Sequence, residues 1–150
     1  MLITPLYLEW CSITTPNTRF EPHKYTVTMV LSDEDAQRFL AEGRKVNTNE
    51  DGEHRLTAKR SVSRIIKSYD EEGNPKLDLE GNEITTEKVN DVPFLLDADK
   101  QPMDVVVGNG SKGGVQVKSY PNKYGLQLEL QGVMITDLVE YNPDENEIQF

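Results

Sequence analysis

Lysines, arginines and tyrosines interleaved in two stretches are the residues here best suited to chemistry. The first is HRLTAKRSVSRIIKSY, where Arg55, Lys59, Arg60, Arg64 and Lys67 precede Tyr69. The second runs from Val105 to Leu128 and carries Lys112, Lys118 and Lys123 beside Tyr120 and Tyr124, with no acid. Cationic side chains meet phosphates, and rings stack on bases at about 1–3 kcal/mol per base. That is the composition of a groove that tracks a nucleic-acid backbone. A solvated strand face explains the first stretch equally well, and the second tips the balance toward binding.

The formal net charge of −10 would argue against nucleic acid if read alone, so its distribution decides. Residues 44–67 carry +4 and residues 105–128 carry +3, whereas 68–104 carry −8 and 137–150 carry −5. A chain of 150 residues, 36% hydrophobic with mean hydropathy −0.60, reads as one soluble domain. No apolar run approaches the ~20 residues of a membrane span, so no membrane partner is expected. The N-terminus carries Glu9 and no basic region, unlike a signal peptide. The single Cys11 excludes an internal disulfide and suits a reducing cytoplasm.

Other chemistry is poorly represented. The corner Gly108-Asn109-Gly110-Ser111 with Gly113-Gly114 could cradle phosphate through backbone N–H groups. It lacks the Gly-Lys-Ser/Thr ending of a nucleotide loop, and a sharp barrel corner accounts for it better. His23 and His54 have no partner at metal-ligand spacing. Asp97 with Asp99, and Asp70-Glu71-Glu72, are explained more simply as acidic turns than as metal ligands. With no nucleophile–base pair either, the sequence implies no enzyme, no cofactor and no metal.

The elements that position the basic stretches are mostly strands. Residues 2–10 alternate as a first strand, followed by a linker with Pro16, Asn17 and Pro22. Trp10, Arg19 and Phe20 near its end form a candidate stacking site, although a core position fits Trp10 better; Tyr7, Tyr25 and Tyr124 also suit core positions with a satisfied hydroxyl. His23–Leu31 is a strand with Tyr25, Val27, Met29 and Leu31 on one face. Ser32 caps a short helix that buries Ala36, Phe39 and Leu40 and stops at Gly43; Arg44–Gly52 follows as polar loop. His54–Ser68 is one long strand whose alternation breaks at Arg60 and Arg64, implying a bulge, a bend or a wet end. Asp70–Asp91 is a hairpin-like insertion or mobile loop, and no internal repeat is found. Val115 and Val117, then Leu126, Leu128 and Leu130, define a closing hairpin with a Pro-Asn turn. The fold class is therefore all-β with one short helix: an OB-fold, the five-stranded, partly open Greek-key barrel that commonly binds single strands, here with a hairpin insertion.

Residues 1–141 form the domain and 142–150 an acidic tail. In that tail Asp144, Glu145 and Glu147 surround only Ile148 and Phe150, so it cannot bury itself and reads as a mobile docking peptide. Extended, it reaches about 30 Å, enough to cross the domain's own groove.

Taken in order, YTVTMVL with its following helix, the basic strand Leu56–Ser63, QPMDVVVGNGS, VQVKSY, YGLQLELQGVMITDLVEY and the acidic tail ending in Phe150 resemble the replication single-stranded-DNA-binding proteins of short-tailed coliphages. The resemblance implies an OB-fold and sequence-independent binding of single-stranded DNA in phage replication, recombination or repair, in the cytoplasm of an infected bacterial host. On the pattern of the residues themselves, Lys59, Arg60, Arg64, Lys67, Lys112, Lys118 and Lys123 are expected to meet phosphates and Trp10, Phe20, Tyr69, Tyr120 and Tyr124 to stack, with Arg19 beside them. The tail would recruit a polymerase, helicase or primase and compete for the groove, with a homodimer open as an assembly. This tail is much shorter and less acidic than the family's. A β-barrel virion protein, or a metal-dependent nuclease using Asp97 and Asp99, are the alternative readings.

Overall fold

The computed structural model describes residues 1–17, 23–123 and 125–141, with the backbone alone for 14–17. In chain order the elements are β1 (Leu2–Ile3), β2 (Tyr7–Asn17), β3 (Lys24–Leu31), α1 (Asp33–Ala41), β4 (Asn47–Thr48) and β5 (His54–Ser61). They continue with β6 (Ser63–Lys67), β7 (Thr85–Val89), β8 (Phe94–Leu96), β9 (Lys112–Asn122) and β10 (Gly125–Asp137). Period-two burial gives the long strands a common interior. Tyr25, Val27, Met29 and Leu31 of β3 meet Leu56 and Ala58 of β5, Val115 and Val117 of β9, and Leu128 and Leu130 of β10. A register shift between Leu130 and Gly132 moves the parity of β10, so Gly132 and Val133 are both buried and Val133 and Ile135 continue the inward row.

The sheet runs β2–β3–β5–β10–β9, with β1 on the far side of β9 and with β4 and β8 paired to β5 and β10. All neighbours on this path are antiparallel except β5 and β10, which pair in parallel at Lys59 and Glu129. The path returns on itself at Leu8, whose N–H donates to the Ser111 carbonyl at 2.7 Å and whose carbonyl accepts from Gly110 N–H at 2.8 Å. Five principal strands closed in this order, with the third and fifth parallel, are an OB-fold.

The glycine corner closes the barrel. Gly108 N–H donates to the Val139 carbonyl, Gly110 N–H to Leu8 and Ser111 N–H to Gly108, so these groups are already spent on the protein. A Cβ at Gly113 would collide with the Met134 backbone carbonyl, and one at Gly108 would come within 2.7 Å of the Glu140 carbonyl. The glycines therefore serve close packing, in line with the barrel-corner reading.

Helix α1 begins as expected: Ser32 Oγ accepts from Asp35 N–H, and Asp33, Glu34 and Asp35 face the positive end of the dipole. Ala36 and Phe39 enter the core, but Leu40, expected on the same face, is 46% exposed. Several boundaries also differ from expectation. The first stretch splits at Pro5, and β2 continues through Pro16 and Asn17, where a linker was expected. A proline is tolerated there because this half of β2 pairs only with β3. Trp10 sits at a bulge with φ 49 and is 48% exposed, which overturns its core assignment. Pro121 and Asn122 are not the hairpin turn but pair with Leu126 and Gly125, so the turn falls beyond them.

The long strand at 54–68 breaks at Val62, whose N–H donates to His23 and whose carbonyl accepts from Asn90 N–H. Beyond it β6 pairs with β7 as a separate two-stranded arm. The expected insertion is thus a hairpin, and its tip contains a repeat that the sequence reading misses. Asp70 Oδ1 accepts from Glu72 and Asn74 N–H, and Asp78 Oδ1 accepts from Glu80 and Asn82 N–H; Gly73 and Gly81 take positive φ. Asp97 caps its turn in the same way, through Asp99 and Gln101 N–H.

Candidate nucleic-acid interface

Strand register gathers one group of cations. Lys24 on β3 pairs with Ser61 on β5, and Thr26 with Lys59, so Lys24, Lys59 and Ser61 share one face. On β10, Glu129 lies opposite both Lys59 and Lys118, while Gln127 lies opposite Tyr120. The hairpin of β9 and β10 reaches toward the end of α1, where a Cβ at Gly125 would collide with the Gly43 carbonyl. Between these elements lies a cleft of about 290 Å³, lined by Lys24, Arg44, Lys59, Arg60, Tyr120 and Glu129 together with Ser61, Gln127 and Leu128.

The cleft is electrostatically strained toward an anion. Partial desolvation, then the charges of Lys24 and Arg44, hold the Lys59 ammonium below its ordinary pKa. Burial likewise lowers Arg44. Its Nη2 donates to the Thr57 carbonyl at 3.3 Å, while its buried Nε has no partner among the described residues. Arg60 is the cation held in place, with Nε on the Asp91 carbonyl and Nη1 on Glu129, both at 2.8 Å.

Of the residues picked from sequence, Lys59, Arg60 and Tyr120 line this cleft, with Lys118 directly across from Glu129 on the same hairpin. Lys123 lies just past the end of β9. Lys112 begins β9, roughly 20 Å of strand from Lys118. Arg64 and Lys67 belong to the β6–β7 arm, where Lys67 pairs with Glu83 at 3.1 Å, and Tyr69 follows, 55% exposed. None of these three lines the cleft. Arg55 also points elsewhere. It pairs with Glu9 at 2.9 Å and approaches Glu53, which accepts from the Tyr7 hydroxyl at 2.6 Å, so this network braces β2 against β5. Trp10 is tied to the glycine corner through its backbone N–H, which donates to Asn109 Oδ1. Arg19, Phe20, Tyr124 and the tail residues Asp144, Glu145, Glu147, Ile148 and Phe150 lie outside the described residues.

Sequence reasoning missed Lys24 and Arg44. The signal for Lys24 was its shared parity with Thr26 and Thr28 on the outward face of β3. Arg44 lies in a loop, and only its position after Gly43, where the chain turns back toward β5, could have suggested it. Other chemistry stays apart from the cleft. Burial pushes the Cys11 thiol up to about 12, which keeps it un-ionised. His54 bridges Asp33 and Thr48, and among the described residues no group of three His, Cys, Asp or Glu gathers to hold a metal.

The chain is an OB-fold whose open cleft lies beside the parallel β5–β10 seam. No family model matches it, and no curated protein matches it in sequence. Solved structures match in fold. The crystal structure of gp2.5, a single-stranded DNA binding protein encoded by bacteriophage T7, aligns with a TM-score of 0.58 at 18% identity, covering 99% of this chain and 93% of that one. The single-stranded DNA-binding protein from bacteriophage Enc34 in complex with ssDNA aligns with a TM-score of 0.50 at 12% identity, covering 93% and 86%. Its C-terminal truncation gives 0.51 at 12%, covering 94% and 87%.

Proposed function

We propose that this chain binds single-stranded DNA without sequence preference, acting in phage DNA replication, recombination or repair. The observation that carries the reading is the cluster of Lys24, Arg44 and Lys59, in which Lys59 is partly desolvated and repelled by the other two, beside the exposed ring of Tyr120. Phosphates relieve the repulsion and a base stacks on the ring, which is how OB-folds hold single strands. Lys24 and Lys59 on the second and third barrel strands, with Tyr120 on the fourth–fifth hairpin, lie on the elements that OB-folds commonly use for binding. The solved structures of similar fold are named as single-stranded DNA-binding proteins, which supports the same reading. The segment 142–150 serves as an acidic docking peptide for replication proteins and competes with DNA for the cleft.

Tyr120→Ala is expected to weaken binding to a labelled oligo-dT by roughly 5- to 150-fold, the equivalent of one stacked base, while Tyr120→Phe stays near wild type. Fluorescence anisotropy measures both, and an alanine variant that binds like wild type would remove Tyr120 from the site.

A pH effect follows from Lys59. Its pKa is lowered in the empty cleft, and a bound phosphate raises it, so binding takes up a proton wherever the free protein has already lost it. Affinity therefore falls as pH rises through the lowered Lys59 titration, below the ordinary lysine value of about 10.4. Titrations across that range should show the decline in wild type and not in Lys59→Arg.

A further inference from the structure

We propose that Glu129 is a built-in competitor for Arg60, a carboxylate seated where a DNA phosphate binds, which weakens the hold of the cleft on the strand and speeds its release. The inference rests on the reading that the cleft takes single-stranded DNA. Glu129 is the one acid among the described residues that line the cleft. Its Oε1 accepts from Arg60 Nη1 at 2.8 Å and from Gln131 Nε2 at 3.0 Å. In register it faces Lys59 on one side and Lys118 on the other, so it lies at the centre of the cations rather than at their rim.

Carboxylate and phosphate oxygens make the same demand on a guanidinium, so one occupant excludes the other. The arrangement allows exchange. Arg60 is anchored independently through Nε on the Asp91 carbonyl, with its side chain 16% exposed, so the guanidinium holds its place when Nη1 changes partner. The Glu129 side chain is 39% exposed and can turn to solvent. A phosphate that takes Nη1 must then share the cleft with the displaced negative charge. The cleft is basic enough to attract a strand and carries one charge that limits how tightly it is held.

The test compares wild type, Glu129→Gln, Arg60→Gln and the double variant for binding to a labelled oligo-dT, with circular dichroism to establish that each is folded. Glu129→Gln should bind about tenfold tighter and dissociate more slowly. Its log–log salt dependence should stay close to that of wild type, because Arg60 meets a phosphate in both and only the competing charge is gone. In the Arg60→Gln background the same substitution should gain little, because the contested partner is gone. Unchanged or weaker binding by Glu129→Gln overturns the proposal and makes Glu129 a positioning residue for Arg60. An equal gain in the Arg60→Gln background also overturns it, since removal of a distant negative charge would then suffice. If wild type fails to bind oligo-dT at all, the functional reading itself falls, an outcome distinct from the other two.

Discussion

Replacing Lys24, Arg44 and Lys59 together with alanine is expected to weaken oligo-dT binding about 2,000-fold. Each cation would lose one charge-assisted hydrogen bond to a phosphate, on the order of 1.5 kcal/mol, and three such losses amount to roughly 4.5 kcal/mol. The salt dependence should flatten by about 2 in its log–log slope, at about 0.7 for each contact removed. The fold should survive, because desolvation, and then the charges of Lys24 and Arg44, already disfavour the charged form of Lys59 in the free protein. Isothermal titration at several salt concentrations, with a denaturant melt as control, separates lost contacts from lost structure. A folded triple variant with wild-type affinity would show that the cleft is not the site.

The largest effect on stability is expected at Phe39. Its ring is fully buried, and Phe39 with Ala36 is how α1 enters the barrel core. The Arg38 guanidinium lies over the same ring, 5.3 Å from its centroid. The Phe39 carbonyl also accepts from Arg44 N–H at 2.9 Å, which fixes the chain as it turns back toward the cleft. Phe39→Ala should therefore cost about 3–5 kcal/mol and lower Tm by roughly 10 °C. Because Arg44 follows directly, the variant should also weaken DNA binding at temperatures where it is still folded. A loss below about 1 kcal/mol in urea denaturation would mean that α1 lies on the barrel without sealing it.

The barrel was legible because its burial alternates. Tyr25 to Leu31, Leu56 with Ala58, Val115 with Val117, and Leu128 with Leu130 each betray a one-sided strand, and a one-sided strand needs a partner sheet. The helix was legible from Ser32 and the acids behind it. What escaped depended on pairing between distant residues. Arg60 and Arg64 look like one basic row, yet Val62 bonds to His23 and Asn90 and sends them to different structures, a cleft and an arm. Lys24 and Arg44 are unremarkable until register and the turn after Gly43 bring them beside Lys59. The bulge at Trp10 and the extra length of β2 come from register shifts against β3, which composition does not reveal. The repeated Asp caps at 70 and 78 were visible only as two turn signals.

The central claim is that this OB cleft holds single-stranded DNA through phosphate contacts and stacking. Fluorescence anisotropy with oligo-dT and with duplex of equal length, each titrated over a series of salt concentrations, tests it most directly. The account predicts tighter binding to oligo-dT, with log affinity falling linearly against log salt by about 0.7 for each phosphate contact. Equal affinity for duplex and single strand, or an affinity indifferent to salt, would contradict it.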